Sequence, residues 1–448
     1  MKRLTILVSV LMIMALLSAC AAGPASPATT GSDTTAGTAA DSGGDTAADT
    51  GGSEAPAATG QEVLIGYTAS NTGKYNVESS RQVNGFDLWM KQVNDAGGLT
   101  LPDGTVLTFA GKSYDDESNT DRVQEIYTRL ATEDGANFLI SPYSSGLTSA
   151  SSVIAEQYGK VMVTTGAASD DTYMQGYTGV YQVYTPASKY LTGAVDMLKA
   201  DAPDAKKLAI VHENDKFSTG VAESVKAYAE GLGYEIVLFE GYDSATTDFA
   251  PFINKIQQSE PDAILGGGHF QDGSTFARQL AEKQVDVPWV ALLVAPPEPT
   301  FAELGDAAVG VIGPSQWEPQ AKFTAEAAAA DGITWAGPTG DEFANAYMDA
   351  YGEEPSYHAA GGYIAGLVLA EAIKNAGSLD DAAVKKAMDE LDLMTFYGHL
   401  KFEPGADAHG LQVGHDMVFV QWQKDADGNL VKEVVWPAAG RTADPITR

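Results

Sequence analysis

Residues 138–171 read FLISPYSSGLTSASSVIAEQYGKVMVTTGAASDD, and this stretch indicates the architecture of the whole chain. Two apolar runs, at residues 138–140 and 161–163, each end at a cluster of small residues rich in Ser, Thr and Gly. A segment with helical spacing follows the first cluster. A buried strand that leads through a short turn into a helix is the repeating unit of an open α/β sheet.

The polar corners after these two strands form a candidate binding site. The first corner contains Ser144 and Ser145, and the second contains Ala167 and Ser169. In an open α/β sheet the carboxyl ends of the strands border a crevice, into which helix N-termini direct their N–H groups. The same residues would also suit two ordinary strand-to-helix turns with N-caps, and the pattern alone leaves both interpretations open.

The first 20 residues are expected to form a secretory signal of the lipoprotein type. Lys2 and Arg3 precede an apolar run at residues 4–17, which is too short for an ordinary membrane span and leads into Leu-Ser-Ala-Cys. This ending resembles the bacterial lipoprotein box, which implies cleavage before Cys20 and lipidation of its thiol. The alternative is plain secretion with an incidental cysteine. Cys20 is the only cysteine, which excludes an intrachain disulfide and a cysteine-based metal site.

The amino-acid composition bears on the domain organisation of the chain and on the classes of function that it can have. Residues 21–60 are mostly Ala, Gly, Thr, Ser and Asp, a composition that predicts a disordered tether. The rest of the chain is long enough for two domains. The formal net charge is −33, with 60 acidic and 27 basic residues, and the absence of a Lys/Arg cluster argues against nucleic-acid binding. After the signal segment no apolar run is long enough to span a membrane.

From residue 63 to about residue 304, short apolar strands alternate with amphipathic helices. This alternation predicts an α/β fold with parallel sheets and helices on both faces. Three helices are then expected at residues 341–351, 361–376 and 381–391. Three strands are expected at residues 398–402, 417–424 and 430–436. The last two strands are joined by a turn at residues 425–429 that contains Asp-Gly, which indicates a β-hairpin.

Several short motifs occur in a characteristic order along this pattern. They are Ile65-Gly66 with Thr72-Gly73, Asn84-Gly85, VNDAGG at 93–98, YDDE at 114–117, DKFSTG at 215–220 and YHAAGGY at 357–363. Together they resemble the type I periplasmic binding proteins of the leucine/isoleucine/valine-binding kind, over residues 62–425. The resemblance implies two Rossmann-like lobes with parallel sheets, joined by a three-strand hinge, with a small ligand held between them.

The resemblance also implies how the chain is divided between the lobes. The first lobe would comprise residues 62–185 and 316–395. The second would comprise residues 186–315 and 396–448, including the terminal hairpin.

The resemblance further implies a set of ligand-binding residues. The family's first-lobe corners match Ser144, Ser145, Ala167 and Ser169, where hydroxyl and N–H groups at a helix N-terminus would receive a ligand carboxylate. In the second lobe, Phe217 and His269 stand at positions where the family has tyrosines. Each of these residues could instead serve packing or a turn.

One position departs from the family pattern. Leu293 stands where the family's amino-acid binders have the acidic residue that binds the ligand's ammonium group, which puts an α-amino acid ligand in doubt. Glu78 or Glu298 could supply the missing carboxylate. Tyr75 and Trp317 are candidates for aromatic walls of the pocket, with core packing as the alternative.

The predicted function is that of a binding protein. The folded part contains no HExxH, GxSxG or P-loop motif, and the acidic run at residues 115–119 lacks the glycine and closing glutamate of a calcium loop. We therefore expect no catalysis, cofactor or metal. The expected protein is a monomeric, extracytoplasmic, lipid-anchored solute-binding protein that delivers an amino acid or similar small organic acid or amide to an ABC permease. The alternatives are a sensory lipoprotein that signals to a membrane partner and a surface-anchored hydrolase.

Overall fold

The computed structural model describes residues 60–448. The predicted signal segment, the lipidation site at Cys20 and the predicted tether up to residue 59 lie outside the described residues. Within the described part, no helix is both long and apolar enough to cross a membrane.

Residues 60–448 form strands and helices in alternation. The strands are β1 (Gly60–Ala69), β2 (Leu99–Thr100), β3 (Val106–Asp115), β4 (Phe138–Ile140), β5 (Met162–Thr164), β6 (Val180–Gln182), β7 (Lys207–Glu213), β8 (Glu235–Tyr242), β9 (Ala263–Gly267), β10 (Trp289–Leu292), β11 (Val311–Ser315), β12 (Thr334–Trp335), β13 (Asp392–Thr395), β14 (Gly398–Lys401), β15 (Val418–Lys424) and β16 (Leu430–Trp436). The α-helices are α1 (Asn76–Asp95), α2 (Thr120–Thr132), α3 (Ser145–Gln157), α4 (Thr192–Asp201), α5 (Lys216–Gly231), α6 (Ala250–Ser259), α7 (Phe270–Glu282), α8 (Ala325–Ala330), α9 (Gly340–Tyr351), α10 (Tyr357–Ala376) and α11 (Asp381–Asp389). Short 3₁₀ helices cover Asp170–Thr172, Ala187–Lys189, Pro299–Ala307 and Ala438–Gly440.

Each lobe contains one large sheet. The first sheet has the strand order β2-β3-β1-β4-β5-β6, and all of its pairs are parallel except β2-β3. The second has the order β16-β15-β11-β10-β9-β7-β8, in which β16, β15 and β11 form the antiparallel pairs. The predicted α/β class with parallel sheets is confirmed, and the predicted terminal hairpin is β15-β16.

Three segments of the chain cross between the lobes side by side. They follow β6, β11 and the small sheet β12-β13-β14. The backbone N–H of Thr185 donates to the side-chain carbonyl of Gln316 at 2.8 Å, and the Thr185 hydroxyl donates to the His415 carbonyl at 3.4 Å. Hydrogen bonds between the crossing segments hold the hinge together.

The division of the chain between the lobes differs from the prediction at the C-terminal end. Strand β14 pairs with β13, and the segment after it returns to the first sheet, where Gln182 N–H donates to the Gly410 carbonyl at 2.8 Å. Gln412 N–H also donates to the Gln182 side chain, at 3.2 Å. Residues 398–412 therefore pack with the first lobe in this structure, whereas the division implied by the resemblance places everything after residue 395 in the second lobe. The lobe with which this segment packs is set by its backbone pairing, and the hydropathy pattern of the sequence does not reveal that pairing.

Helices α1 and α10 cross at very short distance because glycines face each other's backbone. A β-carbon added to Gly85 would lie 1.8 Å from the Ala359 carbonyl oxygen, and one added to Gly362 would lie 1.9 Å from the Gln82 carbonyl oxygen. This contact gives a physical reason for two of the glycines in the sequence motifs. The same contact holds α10 against α1. Helix α10 carries Tyr357 and His358, and helix α1 carries Glu78 and Arg81.

Candidate functional site

A small cavity of about 10 Å³ lies between the two lobes. Its lining residues are Tyr143, Gly166, Ala168, Tyr184, Tyr357 and His358 from the first lobe and Tyr190, Phe217, His269 and Val294 from the second. Most of these side chains are aromatic, and a few polar atoms lie among them. A mostly apolar enclosure with a small number of placed polar groups is typical of a small-molecule site.

The predicted polar corner of the first lobe is present, and its main contact is internal. The Ser145 hydroxyl oxygen accepts the backbone N–H groups of Ala168 and Ser169, both at 3.1 Å. Ser144 occupies the N-cap position of α3 but makes no capping hydrogen bond with its side chain. Ser145 thus joins the two strand-to-helix corners within residues 138–171.

The second corner faces the cavity with different residues from those predicted. Gly166 and Ala168 line it, whereas the Ala167 carbonyl accepts the Tyr173 hydroxyl at 3.2 Å and Ser169 lines an outer cleft. The prediction that Ala167 and Ser169 contact a ligand stays a prediction, and in this structure Gly166 and Ala168 face the cavity. Gly166 has φ +89°, and a β-carbon there would lie 2.5 Å from the Tyr143 ring.

His269 is held between the lobes by two polar contacts. Its Nδ1 lies 2.9 Å from the Tyr143 hydroxyl, and its Nε2 lies 2.8 Å from the Asp215 carboxylate, which also caps α5. Burial by itself lowers the pKa of His269, but the negative charges of Asp215, Glu213 and Glu78 outweigh it and raise the pKa to about 9. The ring is therefore protonated at neutral pH and donates from both nitrogens.

Two further contacts join the lobes beside His269. Lys74 Nζ lies 2.6 Å from the Glu213 carboxylate. Glu78, which is fully buried, accepts the backbone N–H of Phe270 at the start of α7, at 2.9 Å. A carboxylate at a helix N-terminus interacts favourably with the helix dipole, so Glu78 stabilises the contact between the lobes.

Glu298 lies in a buried ionic cluster. One of its oxygens accepts from the Arg81 guanidinium and the other accepts from His358 Nδ1. Arg81 also lies 3.2 Å from Glu353. Both oxygens of Glu298 are thus engaged by protein donors. In this structure neither oxygen is available for a ligand ammonium group, and the cluster connects the two lobes.

The predicted aromatic residues divide into three groups by position. Phe217 lines the cavity, with its ring 4.9 Å from that of Tyr190. Tyr75 lies behind the lining, with its ring 4.8 Å from the His269 ring. Trp317 does not reach the cavity, because it packs in the core against Phe343 and Phe396. A large aromatic side chain after a strand suits a core as well as a pocket wall, and core packing was the alternative that the sequence left open for Trp317.

Most of the residues that line the cavity were not predicted from the sequence. The residues not predicted are Tyr143, Gly166, Ala168, Tyr184, Tyr190, Val294, Tyr357 and His358. Tyr143 lies inside the predicted corner Ser-Pro-Tyr-Ser-Ser-Gly, and Tyr357 and His358 begin one of the family motifs, so both signals were available. Tyr184 and Tyr190 flank a crossing segment, for which local sequence gives no signal.

Glu213, Asp215 and His269 bring one possible metal ligand each within 4.8 Å of one another. Lys74 already neutralises Glu213, and the His269–Asp215 hydrogen bond occupies the two remaining groups. This donor set is therefore satisfied by protein contacts, and we assign it to the link between the lobes.

Two α/β lobes joined by three crossing segments and closed on an aromatic cavity define the class of type I two-lobed binding proteins. The chain belongs to the periplasmic binding protein family, whose profile matches residues 62–429. This is a family of solute-binding proteins and not of enzymes, and the resemblance noted from the motifs is confirmed.

Relatives of known description support this assignment. The chain is 26% identical over 371 residues to Leu/Ile/Val-binding protein homolog 1 of Brucella abortus, covering 82% of this chain and 92% of the relative. It is 24% identical over 368 residues to the leucine-, isoleucine-, valine-, threonine- and alanine-binding protein of Pseudomonas aeruginosa, covering 81% and 90%.

Solved structures show the same fold. The branched-chain amino acid transporter substrate binding protein LivJ from Streptococcus pneumoniae, in complex with isoleucine, superposes with a TM-score of 0.68 at 22% identity, covering 84% of this chain and 100% of that one. A solute binding protein from R. palustris in complex with benzoate superposes with a TM-score of 0.67 at 19% identity, covering 83% and 95%.

Proposed function

We propose that this chain is the extracytoplasmic solute-binding lipoprotein of an ABC importer. It captures an amino acid or a similar small organic acid or amide between its lobes and presents the closed complex to a membrane permease. The observation that carries the proposal is the cavity lined from both lobes, because a ligand there makes its full set of contacts only when the lobes are closed.

Two further points support the proposal. The curated relatives are described as binding proteins for leucine, isoleucine, valine and other small amino acids. The family is periplasmic, which agrees with an extracytoplasmic location. Lipidation at Cys20, the division into lobes and the monomeric state belong to the proposal as well.

The test is a ligand screen followed by transport. The full-length protein would first be unfolded and refolded to release any bound compound, and then screened by thermal shift against amino acids, amides and small aromatic acids. We expect one chemical class to raise the melting temperature, because a ligand that binds only the folded state stabilises it. Deleting the gene should then abolish uptake of that labelled compound. If no compound in the panel stabilises the protein, the proposal is contradicted.

A further inference from the structure

A groove of about 690 Å³ lies beside the terminal hairpin. Strand β16 contributes Leu430 and Lys432 to its lining, and helix α9 contributes Met348. The groove shares no lining residue with the cavity between the lobes. It is therefore a second concave surface, which the capture of a ligand in the cavity does not use.

Strand β16 is the edge strand of the second sheet, because it pairs with β15 on one side only. The backbone groups of Val434 point away from β15: its N–H donates to the Thr442 hydroxyl and its C=O accepts the Thr442 N–H, both at 2.9 Å. In an antiparallel pair this direction alternates from one residue to the next. The backbone groups of Lys432 and Leu430 therefore also point away from β15.

This edge is covered at one end only. Thr442 covers it at Val434, and the Lys432 C=O accepts from the Gln320 side-chain amide at 3.3 Å. Within residues 60–448, the Lys432 N–H and both backbone groups of Leu430 have no partner on this outer side. Unpaired backbone groups on an edge strand can pair with a strand from another chain.

The side chains around this edge are largely apolar. The Trp422 indole N–H donates to the Pro296 carbonyl at 2.7 Å, so the ring offers the groove only apolar surface. Met348 is 40% exposed, and Pro299 and Pro355 add further apolar surface. Alternate side chains of an extended segment lie on the same face. A strand added to β16 would thus suit the groove if its alternate side chains are apolar.

The charges of the groove indicate the sign of the occupant's charge. Lys432 Nζ lies 2.8 Å from the buried Glu318 carboxylate and donates to the Pro297 carbonyl at 2.7 Å, so the charge of Lys432 is already compensated. Glu354 and Glu433 line the same groove. Their carboxylates give it a negative charge, which favours a basic occupant.

We propose that this groove binds an extended peptide segment of a partner protein. The segment adds a short strand to β16 at Leu430 and Lys432, and it carries apolar side chains flanked by Lys or Arg. Strand β16 belongs to the second sheet, whereas α9 packs against α1 of the first lobe. The partner therefore contacts both lobes at once and favours the closed arrangement in which both line the groove.

A synthetic peptide tests the inference with the full-length protein. The probe is fluorescein-labelled Lys-Val-Thr-Val-Thr-Val-Lys with an amidated C-terminus, and fluorescence anisotropy measures its binding. We expect saturable binding that is about tenfold or more tighter than that of the same peptide with Glu at both ends, because the carboxylates of the groove repel the second peptide. Amide hydrogen exchange at Leu430 and Lys432 should slow when the basic peptide binds.

Two variants with matched controls locate the binding site. Leu430→Pro removes an outward N–H, and proline is tolerated on edge strands; it should weaken binding about tenfold or more, whereas Leu430→Ala keeps the N–H and should weaken it clearly less. If Leu430→Pro fails to fold, as judged by circular dichroism, Glu354→Gln serves as the test and should bring the affinities of the two peptides closer together. Its control is Glu390→Gln, at the exposed end of α11, which should change neither affinity.

The contrary outcomes are distinct. Absence of binding at about 1 mM peptide, or equal binding of the basic and acidic peptides, would overturn the inference. Unchanged binding in both Leu430→Pro and Glu354→Gln would also overturn it. A dimer of the full-length protein that dissociates in Leu430→Pro, measured by analytical ultracentrifugation, would show that a second copy of the chain occupies the edge in place of a partner protein. None of these measurements involves ligand uptake, so the proposed function is tested separately.

Discussion

The Tyr143 hydroxyl lies 2.9 Å from Nδ1 of His269, and this contact joins the first lobe to the second across the cavity. The other ring nitrogen of His269 lies 2.8 Å from Asp215. Because the ring is protonated at neutral pH, Tyr143 receives a charge-assisted hydrogen bond. This bond exists only when the lobes are closed, so it adds to the free energy of closure.

Removing the Tyr143 hydroxyl should therefore weaken closure. We expect Tyr143→Phe to lower the affinity for the ligand found in the screen by about tenfold or more, since hydrogen bonds to charged groups contribute roughly 1.5–3 kcal/mol. Calorimetric titration measures the affinity, and small-angle scattering should show a larger radius of gyration for the unliganded variant. Tyr127→Phe is the matched control, because its hydroxyl donates to the Ile140 carbonyl within the first lobe. Equal losses of affinity in both variants would refute this role of Tyr143.

The two serines of the predicted corners should differ sharply in their effect on stability. Ser145→Ala leaves the buried N–H groups of Ala168 and Ser169 without their acceptor, which should cost roughly 2–4 kcal/mol of unfolding free energy. Ser169→Ala keeps its backbone N–H and should cost clearly less, about 1 kcal/mol or below. Urea denaturation measures both values. A loss in Ser169→Ala as large as that in Ser145→Ala would show that the hydroxyl of Ser169 has a structural role of its own.

The elevated pKa of His269 predicts a fall in stability at alkaline pH. The folded pKa is about 9 against an ordinary 6.5, so the stabilisation is fully present below about pH 6.5 and is lost as the pH rises through 9. At about 1.4 kcal/mol per pKa unit, the loss is on the order of 3 kcal/mol. Urea midpoints measured from pH 6 to pH 10 should show it.

Two variants isolate the contribution of His269. His269→Gln should flatten the curve of stability against pH in this range. His409→Gln changes a histidine that contacts Asp389 away from the cavity, and should leave the slope as it is in the wild type. A wild-type curve that is flat between pH 6.5 and 9 would mean that the ring is neutral in the folded protein.

The fold could be predicted from the sequence wherever a continuous apolar run indicated a strand or a helical spacing of apolar residues indicated a helix. Strand β4 appears at the predicted residues, and β5 begins and ends one residue later than predicted. Strand β11 was not predicted, because Gly313 and Pro314 within it are residues typical of turns. It forms a strand because pairing with β10 on one side and β15 on the other supplies contacts that local propensity does not reveal.

The site was predicted only as far as its corners. The sequence does not show which residues of an irregular segment after a strand face a cavity, and here Gly166 and Ala168 do. Glu298 was recognised as a possible carboxylate, but its neutralisation by Arg81, more than 200 residues earlier in the chain, depends on tertiary packing. Whether a charged side chain is available to a ligand depends on its partners, and partners distant in sequence leave no local signal.

The crossing of α1 and α10 offers a test of the packing that positions His358. A β-carbon at Gly85 would lie 1.8 Å from the Ala359 carbonyl oxygen, so the helices would have to separate. We expect Gly85→Ala to lower the unfolding free energy by about 3 kcal/mol or more, and to weaken ligand binding because α10 carries Tyr357 and His358. Gly220→Ala is the control: it lies within α5 with nothing within 4 Å of an added β-carbon, and it should stabilise the protein by about 0.5–1 kcal/mol. Urea denaturation of both variants measures the contrast, and a neutral Gly85→Ala would show that the two helices do not approach as closely as this structure requires.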